Sequence, residues 1–467
     1  MRGLLLALVL AGPALAAAPP TQRDLALAAG YKASFVCSGV FTAGQSEAQV
    51  AADDLTGIYP DYQGLVGGLP AVVDRGARTV SVAFDAKLPP RLAVWRPLLG
   101  CAQLPVGADA AVAAQVPRLT PDFRQPDRAA VDAAAWPLGD ARATMRLPRQ
   151  TVAALDAVVG KAFAVATFGG ANAGASSTTA VIVLKDGRIV AERYRAGYDR
   201  HTPQRTWSVA KSLAATLVGR AVALGRIDVA APAAVPAWQR PGDPRAAITT
   251  AQLLRMTSGL WTDGPGNRSD AVYLGGATVA ESAAAMPLEA APGSRFNYAN
   301  NDVLLAAYGL ETRLGAEALG FPFVQLLWPL GMTRTTPETD WQGHYIASSQ
   351  VWMTARDLAR LALLYQNDGM AGGKRLLPEG WTTFVTAPSG AQPEPATPGR
   401  GGYGAGFWLF GARDGVPDGT YAMVGNRGQF AVIVPSRGVV VVRRGFDAPG
   451  AAFDPLGFTK AVLAVLP

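Results

Sequence analysis

The segment TWSVAKSLAA occupies residues 206–215 and places Ser208 at the predicted start of a helix that continues to about Leu224. Side chains three residues apart lie on the same face of a helix, so Lys211 is expected one turn above Ser208. A desolvated lysine binds its proton less tightly and can act as a base, while the helix N-terminus favours negative charge. The pattern therefore predicts an activated serine, and an exposed serine and lysine on a helix is the ordinary alternative.

A second motif combines a tyrosine and an asparagine two residues apart. Tyr298 and Asn300 follow Pro292 and Gly293 in a segment that reads as a loop entering a helix. Tyr298 is expected to relay a proton and Asn300 to donate a hydrogen bond to a substrate, with an ordinary packed tyrosine as the alternative. The same spacing recurs at 365–367. There the end of a leucine-rich helix explains it by core packing and helix termination.

The sequence around these motifs predicts strands at both ends of a long domain and helices between them. A helical run at 152–166 and a Gly/Ala/Ser-rich connector at 169–177 precede a strand at 180–184, and Asp186 and Gly187 then form a hairpin turn. A largely helical section, the two strands of a second hairpin and a closing helix follow at 208–367, 431–434, 439–442 and 458–466. This order predicts an α+β fold, an antiparallel sheet flanked by helices with an inserted helical lobe.

The N-terminal part of the chain reads as a signal followed by an appended region of unknown role. Residues 1–18 combine a basic start, a leucine-rich core and an Ala-Leu-Ala ending, which is typical of a cleavable secretion signal. Residues 19–145 contain predicted strands at 79–84 and 92–95 but no motif that we can interpret. The C-terminal domain is predicted to span 146–467.

Composition and cysteine content indicate an exported globular protein. Hydrophobic residues make up 49% of the 467 residues and charged residues 16%, so a disordered chain is excluded. The net charge of +7 comes from scattered arginines and implies neither nucleic acid nor an anionic membrane as a partner. No stretch after the signal is expected to span a membrane. Cys37 and Cys101 are the two cysteines, and a periplasmic or secreted location favours a disulfide between them over two free thiols.

Several other enzyme classes lack their motifs in this chain. The two histidines, His201 and His344, do not form a His-Glu-x-x-His zinc motif, and no Gly-x-Ser-x-Gly nucleophile elbow occurs. Neither a phosphate-binding P-loop nor a strand followed by Gly-x-Gly-x-x-Gly is present. We therefore expect chemistry that needs no metal and no cofactor.

In combination, the motifs at Ser208/Lys211 and Tyr298/Asn300 and a late glycine-containing strand resemble those of serine β-lactamases, penicillin-binding proteins and related esterases and amidases. Three further segments, LLRMTSGL, WPLGM and ARDLAR at 253–260, 328–332 and 355–360, are similar to the class C β-lactamase branch. Within that branch the chain looks most like 6-aminohexanoate-dimer hydrolases. The resemblance begins near Trp136 and extends to the C-terminus.

This resemblance implies a β-lactamase/transpeptidase-like fold and acyl transfer through an acyl-enzyme on Ser208. Lys211 and Tyr298 would share the general-base and general-acid roles. The backbone N–H of Ser208 and a second N–H near Gln429 would form the oxyanion hole. Apart from the resemblance, we expect Tyr273 to line the pocket, with surface or core packing as the alternative.

The third motif departs from the family pattern. Relatives carry Lys-Thr-Gly or His-x-Gly, whereas this chain has Asn426, Arg427 and Gly428. Arg427 would either bind a substrate carboxylate or point away, and Gly428 would let the backbone approach the substrate closely. We therefore expect a small amide or carboxylic ester as substrate. The alternatives are a β-lactamase or D,D-peptidase and a non-catalytic binding protein on the same scaffold, and the oligomeric state is left open.

Overall fold

The computed structural model describes residues 19–467 except 121, 143–144, 165–167, 170–176, 263–268, 389, 394–400, 450 and 452. The predicted signal at 1–18 and most of the predicted connector at 169–177 lie outside the described residues. The predicted α+β class is confirmed, because antiparallel sheets and helices alternate along the chain.

The N-terminal region forms a small antiparallel sheet covered by helices. Its elements are α1 (Gln22–Cys37), α2 (Glu47–Asp53), α3 (Pro60–Val66), β1 (Ala71–Asp74), β2 (Thr79–Val82), β3 (Arg91–Arg96), β4 (Gly100–Gln103), α4 (Ala110–Gln115) and α5 (Arg128–Ala133). The two strands predicted here are confirmed as β2 and β3. A disulfide joins Cys37 at the end of α1 to Cys101 in β4, as predicted.

One helix in this region is long and apolar enough, by length and composition alone, to cross a membrane. Gln22–Thr42, which is α1 and the turn after it, has the length of a span and a mean hydropathy of 1.3. Within its most apolar stretch of 18 residues, 67% is buried inside the protein. These buried residues belong to the core that is shared with the C-terminal domain. No stretch after the signal was expected to have the length and composition of a membrane span, and a long buried core helix has them as well.

The C-terminal domain is built on a seven-stranded antiparallel sheet in the order β12-β13-β14-β15-β16-β5-β6. Its strands and those of two smaller sheets are β5 (Thr178–Lys185), β6 (Arg188–Tyr194), β7 (Gln204–Arg205), β8 (Thr336–Pro337), β9 (Val351–Met353), β10 (Met370–Ala371), β11 (Lys374–Arg375), β12 (Gly402–Tyr403), β13 (Trp408–Phe410), β14 (Thr420–Gly425), β15 (Gln429–Val434) and β16 (Val439–Gly445). Asp186 and Gly187 both have positive φ, 47° and 76°, and connect β5 to β6 as the predicted hairpin turn.

Helices cover both faces of this sheet. Helices α6 (Arg149–Ala162), α7 (Val209–Ala223), α12 (Ala355–Gln366) and α14 (Pro455–Val465) pack on the sheet. The other helices of the domain are α8 (Thr250–Leu254), α9 (Asp270–Tyr273), α10 (Val279–Ser282), α11 (Asn300–Leu314) and α13 (Trp381–Thr386). Side chains along a strand alternate between faces, so Val181 and Val183 pack with α6 and α14 while Ile182 and Leu184 face α12. Helix α7 is buried between the sheet and the helical lobe, which brings its N-terminal end to the site described next.

Candidate active site

The nucleophile candidate lies in a strained turn between β7 and α7. Trp207 has φ = 51°, a left-handed conformation that costs a bulky residue about 1–2 kcal/mol. Ser208 follows as the N-terminal cap of α7, and its side chain contributes to the wall of a cavity of about 540 Å³. The turn thus brings the Ser208 hydroxyl into an open cavity while the rest of α7 remains buried.

Lys211 is held against Ser208 by three hydrogen-bond contacts. Its Nζ lies 3.0 Å from Ser208 Oγ, 2.6 Å from Asn300 Oδ1 and 2.8 Å from the carbonyl oxygen of Ser348. The side chain is only 1% exposed, and this loss of solvent lowers the pKa of Lys211 to about 7. A neutral amine has two N–H groups, which can donate hydrogen bonds to the Asn300 and Ser348 oxygens. Its lone pair is then left to receive the Ser208 proton.

Tyr298 stands on the other side of the serine. Its hydroxyl is hydrogen-bonded to Ser208, and its ring centroid lies 5.1 Å from Lys211 Nζ. Burial raises the pKa of Tyr298 to about 12, although the Ser208 hydrogen bond works in the opposite direction. The ring stacks on Trp408 at 5.6 Å and meets Tyr403 edge-on at 5.9 Å. The Tyr298 hydroxyl is therefore neutral near pH 7 and is held in one orientation by an aromatic cluster, and its role as a proton relay stays a prediction.

We expect Tyr298→Phe to lower kcat for a small ester by about 10²- to 10³-fold, since it removes one proton-transfer group and keeps the ring packing. Tyr365→Phe is a matched control, because Tyr365 has the same sequence spacing but its hydroxyl pairs with Thr216 in the core. Steady-state kinetics of the two variants measures the difference. Equal kcat values for both would contradict the role given to Tyr298.

Two other predicted site residues lie behind the reacting groups. Asn300 begins α11 and accepts a hydrogen bond from Lys211, so its visible role is to orient the lysine, and its contact with substrate stays a prediction. Tyr273 is 5% exposed, its hydroxyl contacts the Ser348 hydroxyl, and it is not among the described residues that line the cavity. The pocket-lining role expected for Tyr273 is therefore replaced by support of Ser348, a residue that no sequence motif indicated.

Gly425, and not Gln429, is the residue of the third-motif hairpin that packs against the backbone of Ser208. A Cβ built on Gly425 would lie 3.2 Å from the backbone N of Ser208 and 2.3 Å from the carbonyl of Thr206. Gln429 instead pairs with Gly425 across the hairpin and is 1% exposed, and its side-chain amide donates to the Gly445 carbonyl. Gly425 therefore lies beside the Ser208 amide, which makes the amide that follows Gly425 a second candidate oxyanion donor, and the donor near Gln429 stays a prediction.

The side chain of Arg427 turns away from the serine. Although Arg427 contributes to the cavity wall, its guanidinium group donates to the backbone carbonyls of Thr56 at 2.5 Å and of Asp54 and Asp447 at 3.4 Å. Its backbone is left-handed, with φ = 57°, which directs the side chain to the N-terminal region. Of the two alternatives for Arg427, these contacts favour the one in which its side chain points away from the substrate.

Position 428 has no room for a side chain, because neighbouring residues of the protein pack against Gly428. Its φ is 81°, and a Cβ at this position would fall 1.6 Å from Nη1 of Arg443, which donates to the Gly428 carbonyl and to the Asp447 carboxylate. The expected close approach of substrate to Gly428 stays a prediction, although Gly428 does line the cavity. The packing of Arg443 is sufficient to explain the glycine.

The cavity beside Ser208 is mainly aromatic and apolar. Besides the residues of the third motif it is lined by Phe296, Tyr298, Pro393, Trp408, Phe410, Val424, Phe430, Phe453, Pro455 and Leu456. Its carboxylates already have partners, since Asp447 pairs with Arg443 at 2.7 Å and Asp454 caps α14. Among the described lining residues the single cation is Arg427, whose guanidinium group is bonded elsewhere. The cavity is thus suited to uncharged, partly apolar groups.

A separate cluster of potential metal ligands belongs to a network of ion pairs. Oxygen and nitrogen atoms of Asp132, Asp140 and His201 lie within 4.8 Å of one another. Arg334 binds Asp132 through two contacts of 2.6 and 2.7 Å, and Arg360 binds Asp140 at 2.6 Å. Arginines therefore already neutralise these carboxylates, and the cluster links the N-terminal region to the C-terminal domain.

Comparison with known proteins agrees with this geometry. Residues 149–444 match the family model described as Beta-lactamase. The chain is 28% identical over 300 residues to 6-aminohexanoate-dimer hydrolase of Paenarthrobacter ureafaciens, covering 57% of this chain and 72% of that protein. The predicted resemblance to this branch is confirmed. The matched range includes Ser208, Lys211 and Tyr298, and the N-terminal region lies almost wholly outside it.

Two solved structures share the fold at low sequence identity. A penicillin-binding protein homolog from Caulobacter crescentus is 19% identical with a TM-score of 0.52, covering 69% of this chain and 99% of that chain. A family VIII carboxylesterase is 17% identical with a TM-score of 0.52, again covering 69% and 99%. These likenesses confirm the predicted β-lactamase/transpeptidase-like fold.

Proposed function

The chain is a serine hydrolase that belongs to the beta-lactamase family, and on that premise we propose that it cleaves small, uncharged amides or carboxylic esters through an acyl-enzyme on Ser208. The observation that carries this proposal is the contact of 3.0 Å between Ser208 Oγ and Lys211, whose pKa burial lowers to about 7. A lysine with its pKa lowered in this way gives up its proton near neutral pH far more readily than an exposed lysine. A non-catalytic binding protein would not need this arrangement.

The proposed reaction begins when the Ser208 proton passes to Lys211 and Oγ attacks the substrate carbonyl carbon. The carbonyl oxygen becomes an oxyanion, which the backbone N–H groups of Ser208 and Asn426 stabilise, each worth about 3 kcal/mol in comparable sites. Tyr298 donates a proton to the departing amine or alcohol and recovers one from Lys211. Water then attacks the acyl-enzyme by the same steps in reverse, which releases the carboxylic acid and restores Ser208.

The cavity favours uncharged substrates over β-lactams. β-Lactam antibiotics carry a carboxylate, which a cationic residue of the third motif helps to bind in the relatives that the sequence resembles. Here the corresponding Arg427 donates to Thr56 and Asp54, and aromatic side chains form much of the wall. A hydrogen bond to a charged group is worth about 1.5–3 kcal/mol, so its loss lowers affinity by about 10- to 100-fold.

We expect kcat/KM for p-nitrophenyl esters and small neutral anilides to exceed that for a chromogenic cephalosporin by at least about 10-fold. The reason is the missing partner for the cephalosporin carboxylate. The measurement is a panel at one pH, with the methyl ester of the same cephalosporin as control for ring reactivity. Faster hydrolysis of the free acid than of its methyl ester would contradict the proposed preference.

The pH dependence follows from the buried lysine. Because the reactive form of Lys211 is unprotonated and its pKa is about 7, kcat/KM is expected to be low in acid, to rise through about pH 7 and to level off above it. Tyr298 stays neutral across this range because its pKa is raised to about 12. A pH profile with a neutral ester tests this expectation. A profile that is flat through neutrality, or that falls as pH rises, would contradict the assignment of the base.

We further propose that the protein is exported to the periplasm or the medium. The support is the signal pattern at 1–18 together with the Cys37–Cys101 disulfide, a bond that reducing cytosol disfavours. Mass analysis of the protein recovered from a cell fraction tests this directly. The expected mass corresponds to a chain starting near residues 17–19, and an intact Met1 in the cytosolic fraction would contradict export.

A further inference from the structure

The N-terminal region packs directly on the residue that precedes the nucleophile. The Trp207 ring meets Phe35 of α1 at 5.9 Å and Tyr59 edge-on at 6.1 Å between ring centroids. On a third side the guanidinium group of Arg205 lies 4.1 Å from the Trp207 ring and 4.6 Å from the Phe35 ring. Since φ of Trp207 is 51°, these contacts enclose a backbone conformation that a bulky side chain does not adopt by itself.

The same region also holds the hairpin of the third motif. Arg427, 6% exposed, donates to the Thr56 carbonyl at 2.5 Å and to the Asp54 carbonyl at 3.4 Å. Gly57 approaches Ala448 so closely that a Cβ at position 57 would lie 3.0 Å from the Ala448 Cβ. The left-handed Arg427 is therefore fixed by backbone atoms 371 residues earlier in the sequence.

Tyr59, which packs on Trp207, and the carbonyls that bind Arg427 come from one short segment, residues 54–59, between α2 and α3. Its own shape is fixed locally, because Thr56 Oγ1 donates to the Ala51 carbonyl and Gln63 bonds both the Ile58 amide and the Leu55 carbonyl. The family match begins at residue 149, so the segment lies outside the part of the chain that resembles the relatives.

We infer that segment 54–59 is a positioning element of the active site. It holds Trp207 and Arg427, the neighbours of the two amides, Ser208 and Asn426, that form the proposed oxyanion hole. The inference rests on the proposed function, since it assigns the segment a role in that reaction. It implies that the N-terminal region is required for the chemical step and acts without touching the substrate.

The test compares two positioning variants with a stability control. Arg427→Met removes the bonds to the segment, and Tyr59→Ala removes one wall of the Trp207 site. Val82→Ala, at the end of β2, shortens a fully buried side chain that is not part of segment 54–59. Each protein is assayed for the melting temperature, for kcat and KM with a small p-nitrophenyl ester, and for the rate of fluorophosphonate labelling.

We expect Arg427→Met and Tyr59→Ala to lower kcat and the labelling rate together by about 10- to 100-fold, with KM changed less than about threefold. Tyr59→Phe, which keeps the ring, should recover most of kcat. Val82→Ala should lower the melting temperature and leave kcat near that of the parent protein. If Tyr59→Ala does not fold, Arg427→Met decides the question.

Two results would overturn the inference in distinguishable ways. Folded Arg427→Met and Tyr59→Ala proteins with kcat within about twofold of an active parent would refute the positioning role and leave the proposed function intact. A parent protein that neither hydrolyses esters nor reacts with the fluorophosphonate would refute the proposed function itself, and the inference with it.

Discussion

Lys211→Met will lower kcat/KM by about 10³- to 10⁵-fold, because Ser208 then has no base within hydrogen-bond distance at the position of Nζ. Methionine has a similar length and fills the buried site without a charge. Ester hydrolysis by the purified variant measures the loss. Lys161→Met, at the exposed end of α6, is the matched control and should keep full activity.

The same substitution changes the pH dependence of stability. The folded protein lowers the pKa of Lys211 from 10.5 to about 7, so between these values the unfolded chain binds more protons than the folded one. The free energy of unfolding of the parent protein therefore gains a contribution that grows as pH rises from about 7 to 10.5. Lys211→Met should lack this contribution.

A Lys211→Met variant that keeps kcat/KM within about tenfold of the parent would rule out Lys211 as the base.

Ser208→Ala will lower kcat by about four to six orders of magnitude, since loss of a nucleophile leaves only the binding and oxyanion contributions. The substitution removes a hydroxyl that faces the cavity, so little effect on folding is expected. Burst and steady-state kinetics with a p-nitrophenyl ester measure the effect.

Ser212→Ala is the matched control for this variant. Ser212 lies on the same helix and beside Lys211, but its hydroxyl donates to the Gly406 carbonyl at 2.6 Å. Its loss should reduce stability and leave kcat within a few-fold of the parent. Equal activity losses in the two serine variants would show that helix α7, and not the Ser208 hydroxyl, limits the reaction.

The parts of the fold and site that depend on local sequence could be predicted. Ser208 and Lys211 are three residues apart on a helix, and helix geometry alone brings their side chains together. The hairpin at Asp186 and Gly187 follows from residues that tolerate positive φ. In both cases the atoms that decide the structure are only a few residues apart.

Side-chain directions set by distant parts of the chain could not be predicted. The resemblance to the family places Arg427 in the third motif, but the direction of its side chain depends on the carbonyl groups of residues 54 and 56. Ser348 was missed because its backbone carbonyl, which any residue supplies, is what orients Lys211. No sequence pattern marks such a contact.

The part of the third motif that lies beside Ser208 could not be predicted for a related reason. The motif suggests a position near Gln429, but the hairpin pairs Gly425 with Gln429 and leaves a turn of three residues between them. It is the glycine that reaches the Ser208 amide. The register of the hairpin decides this, and a short motif does not specify the register.

The central claim is that Ser208 is the nucleophile, and intact-mass analysis after reaction with a fluorophosphonate tests it most directly. We expect one adduct per chain in the parent protein, located on the peptide that contains Ser208, and no adduct in Ser208→Ala. An unlabelled parent protein, or equal labelling of parent and Ser208→Ala, would contradict the claim.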